Sequence, residues 1–188
     1  MKTKLTNIID DDKINVIGDT RIDQIEYRYE NKKIKLPLFQ NSKNILFGSI
    51  DEYDIKIIFD YLKIRKNNSK LIFVPHEPDE KLIINIEKKL KELSIDSIRF
   101  SNMTDNLNQD NLDAIIIDKV GILADAYQYS SISYIGCGFG KGVHNVMEPA
   151  IYGNLICFGP NYQILDEAIE LVNEKLAISI NNSNELTK

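Results

Sequence analysis

Cysteine is scarce in this sequence, with only Cys137 and Cys157 among 188 residues. Two cysteines do not make a disulfide framework or a zinc site, so a reduced cytoplasmic setting is expected. Histidine is equally scarce: His76 and His144 are the only two, and neither lies at a metal-ligand spacing from a cysteine or a carboxylate. The sequence therefore predicts no metal site.

An excess of basic residues is also missing. The chain has 23 Lys and Arg against 28 Asp and Glu, a formal net charge of −5, and its isoelectric point is near 5.1. Nucleic-acid-binding domains usually carry a basic face, so this balance argues against a nucleic-acid partner. No apolar stretch approaches membrane-spanning length, and the first 15 residues lack the apolar region of a signal peptide. The length and composition predict one soluble, cytoplasmic domain.

Short, continuous apolar runs alternate along the chain with segments of helical periodicity. Apolar residues at 55, 58, 59 and 62, for example, recur at the spacing of one helix face. This alternation is typical of a parallel sheet covered by helices on both faces, so we predict an α/β, Rossmann-like fold. Segment 22–34 stays unassigned, and 181–188 is predicted to be a frayed tail. The predicted strands are 14–17, 44–47, 71–74, 97–101, 114–117, 131–135, 155–158 and 177–180, and the predicted helices are 51–66, 78–93, one ending near 129, 145–152 and 165–175.

A glycine-rich loop follows the predicted strand 131–135, with glycine at positions 136, 138, 140 and 142. Loops after the strands of a parallel sheet meet at one edge, where open α/β sheets bind ligands. Glycines let backbone N–H groups approach a ligand, and a helix beginning near Asn145 would add partial positive charge. We therefore expect an anion site, most commonly for phosphate. Lys141 replaces the third glycine of a dinucleotide fingerprint, and the spacing does not fit a P-loop.

Each candidate residue near this loop also has a structural interpretation. Asn145 and Glu148 match a helix capping box, and the Glu148 carboxylate is equally suited to accept a ribose diol. His76 and His144 both follow strands, which favours ligand contact over a purely surface role. Lys141 is either solvated or bound to phosphate or carboxylate, and its place in a glycine loop favours the second interpretation.

Five further blocks of the sequence form a recognisable set: GDTRID at 18–23, PHEP at 75–78, DKVGIL at 118–123, GFGKGVHNVMEP at 138–149 and GPNY at 159–162. Together they resemble 3-deoxy-D-manno-octulosonic acid (Kdo) transferases, over nearly the whole chain, and the His-Asn-x-x-Glu pattern within the glycines is the most specific of them. Many members of that family have Pro-Arg-His where this chain has Pro75-His76, so the usual arginine is absent and Lys141 or His76 is expected to substitute.

The resemblance implies the C-terminal half of a glycosyltransferase-B architecture, in which two Rossmann-like domains face each other across a cleft. In such enzymes the C-terminal domain holds CMP-Kdo. The N-terminal domain carries the acceptor site, the general-base glutamate and often a membrane anchor. By this resemblance, residues 1–43 are a linker-like segment with a first strand, and residues 44–188 are the donor-nucleotide-binding domain. The same resemblance leads us to expect that the N-terminal acceptor domain, which would hold the catalytic base, is absent from this chain.

The same resemblance implies roles for particular residues. The segment after the second predicted strand would approach the donor, and the segment at 119–121 would contact the cytidine through backbone atoms. The segment at 145–148 would hold phosphate and ribose, with Glu148 on the ribose hydroxyls. The expected donor-binding residues are Pro75, His76, Lys119, Val120, Gly121, Gly140, Lys141, Gly142, His144, Asn145, Val146, Met147 and Glu148.

The implied reaction is inverting transfer of Kdo from CMP-Kdo to a lipid A precursor, a step of lipopolysaccharide biosynthesis at the cytoplasmic face of the bacterial inner membrane. Membrane contact would come only through the absent segments. Without the base, this chain is expected to bind CMP or CTP and to catalyse nothing alone, with no cofactor besides the donor. The alternatives are the sugar-nucleotide half of another glycosyltransferase-B enzyme, a UDP-GlcNAc 2-epimerase relative, or a non-catalytic nucleotide-binding module.

Overall fold

Strands and helices alternate in a computed structural model, which describes Lys13 and residues 18–31, 43–104 and 112–187. The predicted strand at 14–17 lies outside the described residues. Three short 3-10 turns cover Phe100–Asn102, Tyr127–Tyr129 and Ser183–Thr187. The helices and strands in chain order are α1 (Thr20–Glu30), β1 (Asn44–Ile50), α2 (Glu52–Ile64), β2 (Lys70–Pro75), α3 (Glu80–Glu92), β3 (Ser97–Arg99), β4 (Ala114–Ile116), α4 (Leu123–Ala126), β5 (Ile132–Ile135), α5 (Met147–Ile151), β6 (Leu155–Phe158), α6 (Asp166–Asn173) and β7 (Ala177–Ser179).

The strands form one seven-stranded sheet in the order β3-β4-β2-β1-β5-β6-β7. Every neighbouring pair is parallel, from β3 and β4 at one edge to β6 and β7 at the other. The predicted α/β, Rossmann-like parallel sheet is therefore confirmed. The two central strands, β1 and β5, lead to opposite halves of the sheet, so the connections reverse direction between them.

Alternate residues of each central strand pack on opposite faces of the sheet. In β1, Ile45 and Phe47 join a core with the apolar faces of α2 and α3. Leu46, between them, joins a second core with residues of α4, α5 and α6. Because a strand that is buried on both faces has no polar side to show, it appears in the sequence as a continuous apolar run. The prediction that helices cover both faces is confirmed.

Two predicted helices are shorter in the structure than their patterns suggested. The helix ending near 129 consists of the single turn α4, followed by a 3-10 turn over Tyr127–Tyr129. The helix predicted for 145–152 is α5, which has five residues. The middle residue of α5, Pro149, has no N–H to donate. The helix ends before Gly153, which has a φ of +70° and follows the C-cap residue Tyr152.

Two terminal segments differ from their predictions. The unassigned segment 22–34 contains most of helix α1, whose N-cap is Asp19 and which has no buried residue. Its apolar residues are mixed with charged ones, so the sequence pattern was not assigned. The helix contacts the domain partly through rings, with Tyr29 and Tyr152 centroids 5.2 Å apart. The prediction that residues 181–188 form a frayed tail is wrong for residues 181–187. Leu186, in the last 3-10 turn, packs against the core on the side of α2 and α3.

Candidate functional site

At the carboxyl edge of the sheet the strand connections reverse direction between β1 and β5, an arrangement that opens a crevice in α/β sheets of this kind. Ligands of open α/β sheets bind at such a switch point. The loop at 136–146 follows β5 and carries the four glycines. His76 follows β2, and the turn at 119–121 follows β4, so both arrive at the same edge. Asp51, which directly follows β1, caps helix α2 there.

Two glycines of the loop allow it to pack against neighbouring backbone. A Cβ on Gly136 would lie 2.4 Å from the carbonyl oxygen of Ser49, and one on Gly138 would lie 2.6 Å from the backbone nitrogen of Gly159. Such contacts are too short, so any larger residue would move the backbone. The sequence interpretation, in which glycines open the backbone to a ligand, is corrected here: Gly136 and Gly138 are needed for packing within the protein.

Several N–H groups of the loop are already bonded inside the protein. Those of Gly140 and Gly142 both donate to the carbonyl oxygen of Cys137, at 3.0 and 2.9 Å, and that of Val143 donates to Asn161 at 3.0 Å. Gly142 has a φ of +114°, which residues with a Cβ rarely adopt. These two glycines therefore do not supply the cradle of free N–H groups that the sequence suggested. Their place in the donor site stays a prediction.

A buried carboxylate, Asp54, holds the start of the loop. It is fully buried, and it accepts hydrogen bonds from the Tyr134 hydroxyl at 2.6 Å, the Cys137 N–H at 2.8 Å and the Asp51 N–H at 3.0 Å. Burial raises the pKa of Asp54 to about 6, although these hydrogen bonds lower it. Sequence reasoning missed this residue. The Asp51-x-x-Asp54 spacing at the start of α2, a capping box in the structure, was the available signal.

Cys137, two residues after the end of β5, has an unusual backbone conformation. Its φ is +64°, a left-handed value uncommon for a residue with a side chain. The bond from its N–H to Asp54 supports this conformation, and its Sγ donates to the carbonyl oxygen of Ser49 at 3.2 Å. Burial, with the nearby Asp51 and Asp54 carboxylates, raises the pKa of the Cys137 thiol to about 12. The side chain is therefore a thiol, not a thiolate, at neutral pH.

The two histidines stack at the mouth of the crevice. The rings of His76 and His144 are 4.8 Å apart between centroids and 14° from parallel. Nδ1 of His76 shares a hydrogen bond with the Ser49 hydroxyl at 2.8 Å, and its N–H donates to the carbonyl oxygen of Ile50 at 2.9 Å. Burial, together with the neighbouring His76 and Lys141, lowers the pKa of His144. An anion bound beside His144 would favour the protonated form of that ring.

Two small cavities lie on either side of this histidine pair. The first has a volume of about 120 Å³ and includes five of the expected donor-binding residues: Pro75, His76, Lys119, Val120 and Gly121. The second has a volume of about 180 Å³ and includes five more: His144, Asn145, Val146, Met147 and Glu148. Because His76 belongs to one cavity and His144 to the other, the stacked rings join them. Gly140, Lys141 and Gly142 do not line either cavity, although Lys141 is exposed close by.

Glu148 is mostly enclosed in the second cavity, with 18% of its side chain exposed. Its carboxylate lies 3.6 Å from Nη1 of Arg28 on α1. Burial raises the pKa of Glu148, although Arg28 lowers it. The predicted capping box is found only in part. Asn145 Oδ1 accepts from the N–H groups of Met147 at 3.0 Å and Glu148 at 3.4 Å, but the N-cap residue of α5 is Val146, and the Glu148 carboxylate faces Arg28. Since α5 has only five residues, its dipole contributes less than the sequence interpretation assumed.

Helix α1 supplies a wall of the second cavity that the sequence did not predict. Arg21, Gln24 and Ile25 line it. Arg21 pairs with Asp19 and with Glu167 of α6, so its charge is largely committed within the protein. On the other side of the site, Nζ of Lys119 lies 5.6 Å from the centre of the Phe100 ring. The Lys119 side chain therefore has a partner of its own.

The fold defines a Rossmann-like domain, and the candidate site lies at the carboxyl edge of its sheet. A solved structure of the same fold, "the C-terminal CMP-Kdo binding domain of WaaA" from Acinetobacter baumannii, superposes with a TM-score of 0.67. The superposition covers 89% of this chain and 85% of that one at 17% sequence identity, a level that supports the fold.

Sequence relatives give the more specific similarity. A 3-deoxy-D-manno-octulosonic acid transferase of Rickettsia prowazekii is 32% identical over 163 residues, which cover 84% of this chain and 34% of the relative. A bifunctional glycosyltransferase/methyltransferase of Fusobacterium nucleatum is 30% identical over 148 residues, 78% of this chain and 23% of the relative. This chain therefore belongs to the Kdo transferases, a glycosyltransferase family, as the sequence resemblance predicted. The chain spans less than half the length of these relatives, and no protein-family model matches it.

Proposed function

We propose that this chain is the donor-binding domain of a Kdo transferase and that it binds CMP-Kdo at the carboxyl edge of its sheet. The observation that supports the proposal is the pair of cavities joined by the His76–His144 stack. Ten expected donor-binding residues, which come from segments far apart in the sequence, line these cavities. The proposed division is residues 1–43 as a linker-like segment and 44–188 as the donor domain.

Each part of the nucleotide has a matching surface. The cytosine would lie in the first cavity, against the backbone of the turn at 119–121, where Val120 is 78% exposed. The phosphate would lie at the junction, where His76, His144 and the exposed Lys141 can donate hydrogen bonds. The ribose would extend into the second cavity, with its diol on the Glu148 carboxylate. These groups substitute for the arginine that many family members carry, and the donor itself is the only small molecule the site needs.

The first experiment measures CMP binding by NMR titration and calorimetry. Saturable binding by the millimolar range is expected, and its absence would contradict the proposal. The ribose contact is tested with Glu148→Gln, using CMP and 2′,3′-dideoxy-CMP in parallel. We expect wild type to favour CMP over the dideoxy compound and Glu148→Gln to lose that preference. Glu92→Gln, an exposed glutamate at the end of α3, is the matched control and keeps it.

A second experiment separates the alternatives. Thermal shifts with CMP, UDP and GDP should show stabilisation by CMP above the other two. Preference for UDP would favour a UDP-sugar glycosyltransferase or a UDP-GlcNAc 2-epimerase relative, and no shift with any would favour a role without nucleotide.

The activity of the whole enzyme follows from the same proposal. The relatives named as Kdo transferases are longer than this chain, so we assign the acceptor site and the catalytic base to a further domain. Transfer would then go to a lipid A precursor at the cytoplasmic face of the bacterial inner membrane. None of the helices in the described residues is long and apolar enough to cross a membrane. The chain alone should give no transfer from CMP-Kdo, and addition of an acceptor domain should be required; turnover by the chain alone would contradict this.

A further inference from the structure

We propose that the crevice also binds one Zn²⁺ or similar transition-metal ion through His76, Cys137 and His144. One nitrogen of each imidazole and the Cys137 sulfur lie within 4.8 Å of one another. The two histidines are the only ones in the sequence, and they come from different loops. Sequence spacing did not predict this site because His76 is far from Cys137 along the chain.

A fourth ligand is available on the other side of the thiol. A carboxylate oxygen of Asp51 and one of Asp54 also lie within 4.8 Å of each other and of the Cys137 sulfur. Asp54 is engaged by three hydrogen bonds. Asp51 uses Oδ1 for the N–H groups of Tyr53 and Asp54. Its Oδ2 faces the glycine loop, 3.1 Å from where a Cβ on Gly140 would be, and is the oxygen we assign as a ligand.

The ligand types select the ion. Nitrogen and sulfur ligands favour Zn²⁺, Co²⁺ or Cu²⁺ over Mg²⁺ and Ca²⁺, which prefer oxygen. Zn–N distances of about 2.0 Å and Zn–S distances of about 2.3 Å place tetrahedral ligands roughly 3.5 Å apart. Both histidines are exposed and can close the remaining distance by rotating. When the metal–sulfur bond forms, the thiol of Cys137 releases its proton to solvent.

Part of the outer shell of this site is already present. The Ser49 hydroxyl is hydrogen-bonded to Nδ1 of His76 at 2.8 Å, a contact that orients the ring. The Ser49 carbonyl oxygen accepts from the Cys137 sulfur at 3.2 Å, which holds the thiol toward the crevice. Two carboxylates beside the site also favour a cation there. The metal site uses the same two histidines as the proposed phosphate contact, so it is tested in the absence of nucleotide.

The test is titration of the reduced, full chain with Co²⁺ alone, followed by Zn²⁺. One equivalent of Co²⁺ should give tetrahedral ligand-field bands in the visible and a thiolate-to-cobalt charge-transfer band in the near ultraviolet, and Zn²⁺ should abolish both. Cys137→Ser should lose the charge-transfer band. Cys157→Ser removes the other cysteine, which is buried in the core, and should keep the band.

The histidines are tested separately, because Cys137 is buried and its substitution can disturb the loop. His76→Ala and His144→Ala change exposed side chains, and each should weaken Zn²⁺ binding roughly tenfold or more, since even outer-shell changes cost about that much. Circular dichroism checks that both variants fold. No saturable Co²⁺ binding, a spectrum without the charge-transfer band, or unchanged affinity in both histidine variants would overturn the proposal. Because nucleotide is left out, none of these results bears on CMP binding.

Discussion

Asp54→Asn should remove a large part of the pH dependence of stability while leaving the glycine loop intact. The Asp54 Oδ2 atom accepts both backbone N–H groups, from Cys137 and Asp51, and Oδ1 accepts the Tyr134 hydroxyl. An asparagine can place its carbonyl oxygen where Oδ2 of Asp54 lies and its NH₂ where Oδ1 lies. The NH₂ then donates to the Tyr134 oxygen, so all three contacts survive without a charge.

The magnitude follows from the pKa of Asp54, which burial raises from 3.8 to about 6. The folded state holds the Asp54 proton more tightly than the unfolded state. The stabilisation that this proton gives to the folded state is therefore fully present below about pH 4 and is lost as the pH rises through 6. A difference of about two pKa units corresponds to about 3 kcal/mol of unfolding free energy. Groups with lowered pKa values, such as Glu87, change stability in the opposite direction, so the comparison between variant and wild type is the informative quantity.

The assay is urea unfolding, followed by far-ultraviolet circular dichroism because the chain has no tryptophan, at intervals from about pH 4 to pH 7. The unfolding free energy of Asp54→Asn, relative to that of wild type, should increase by about 3 kcal/mol as the pH rises from about 4 to 7. Asp60→Asn removes a charge from the exposed side of the same helix and serves as the control. If the wild-type and Asp54→Asn curves of stability against pH run parallel, the reasoning about this carboxylate is wrong.

Three further substitutions test other contacts. Gly138→Ala should lower the unfolding free energy by about 2 kcal/mol in urea titrations, because the new Cβ would meet the Gly159 backbone; an unchanged value would refute the packing role. Leu186→Ala should cost about 1–2 kcal/mol by the same assay, since the side chain is partly buried, whereas a frayed tail would cost nothing. Arg28→Ala should change stability by under about 1 kcal/mol yet raise the pKa of Glu148 in an NMR titration, because Arg28 lowers it; an unmoved pKa would contradict the pairing.

The fold was predictable because the strands are buried on both faces. The runs around Leu46 and Ile115 are continuously apolar, and each predicted strand from 44 onward is present within one to three residues at its ends. Helix lengths were less predictable where tertiary contacts decide them. Periodicity suggested a full helix before Tyr129, but the chain there forms only single turns, with Tyr127 buried beneath the sheet.

The sequence indicated which segments form the candidate site, but not how their polar groups are bonded to one another. Motif resemblance identified the segments on both sides of the histidine pair, and the sheet topology explains why they meet. What the sequence could not show was which polar groups remain available. The N–H groups of Gly140 and Gly142 are used within the loop, and the carboxylate that organises the loop, Asp54, belongs to the helix after β1. Such pairings depend on distances across the sheet, which local patterns do not encode.

The geometry separates residues that build the site from residues that bind within it. Asp54 joins β5, the glycine loop and α2, so a change that breaks its contacts, such as Asp54→Ala, should reduce stability and CMP affinity together. Glu148 and His144 lie at the cavity surface and have few structural bonds, so Glu148→Gln and His144→Ala should weaken CMP binding with little loss of stability. Plotting affinity against unfolding free energy for these variants therefore tests the arrangement. If all three fall on one line, the cavities are a consequence of packing and the proposed donor contacts are wrong.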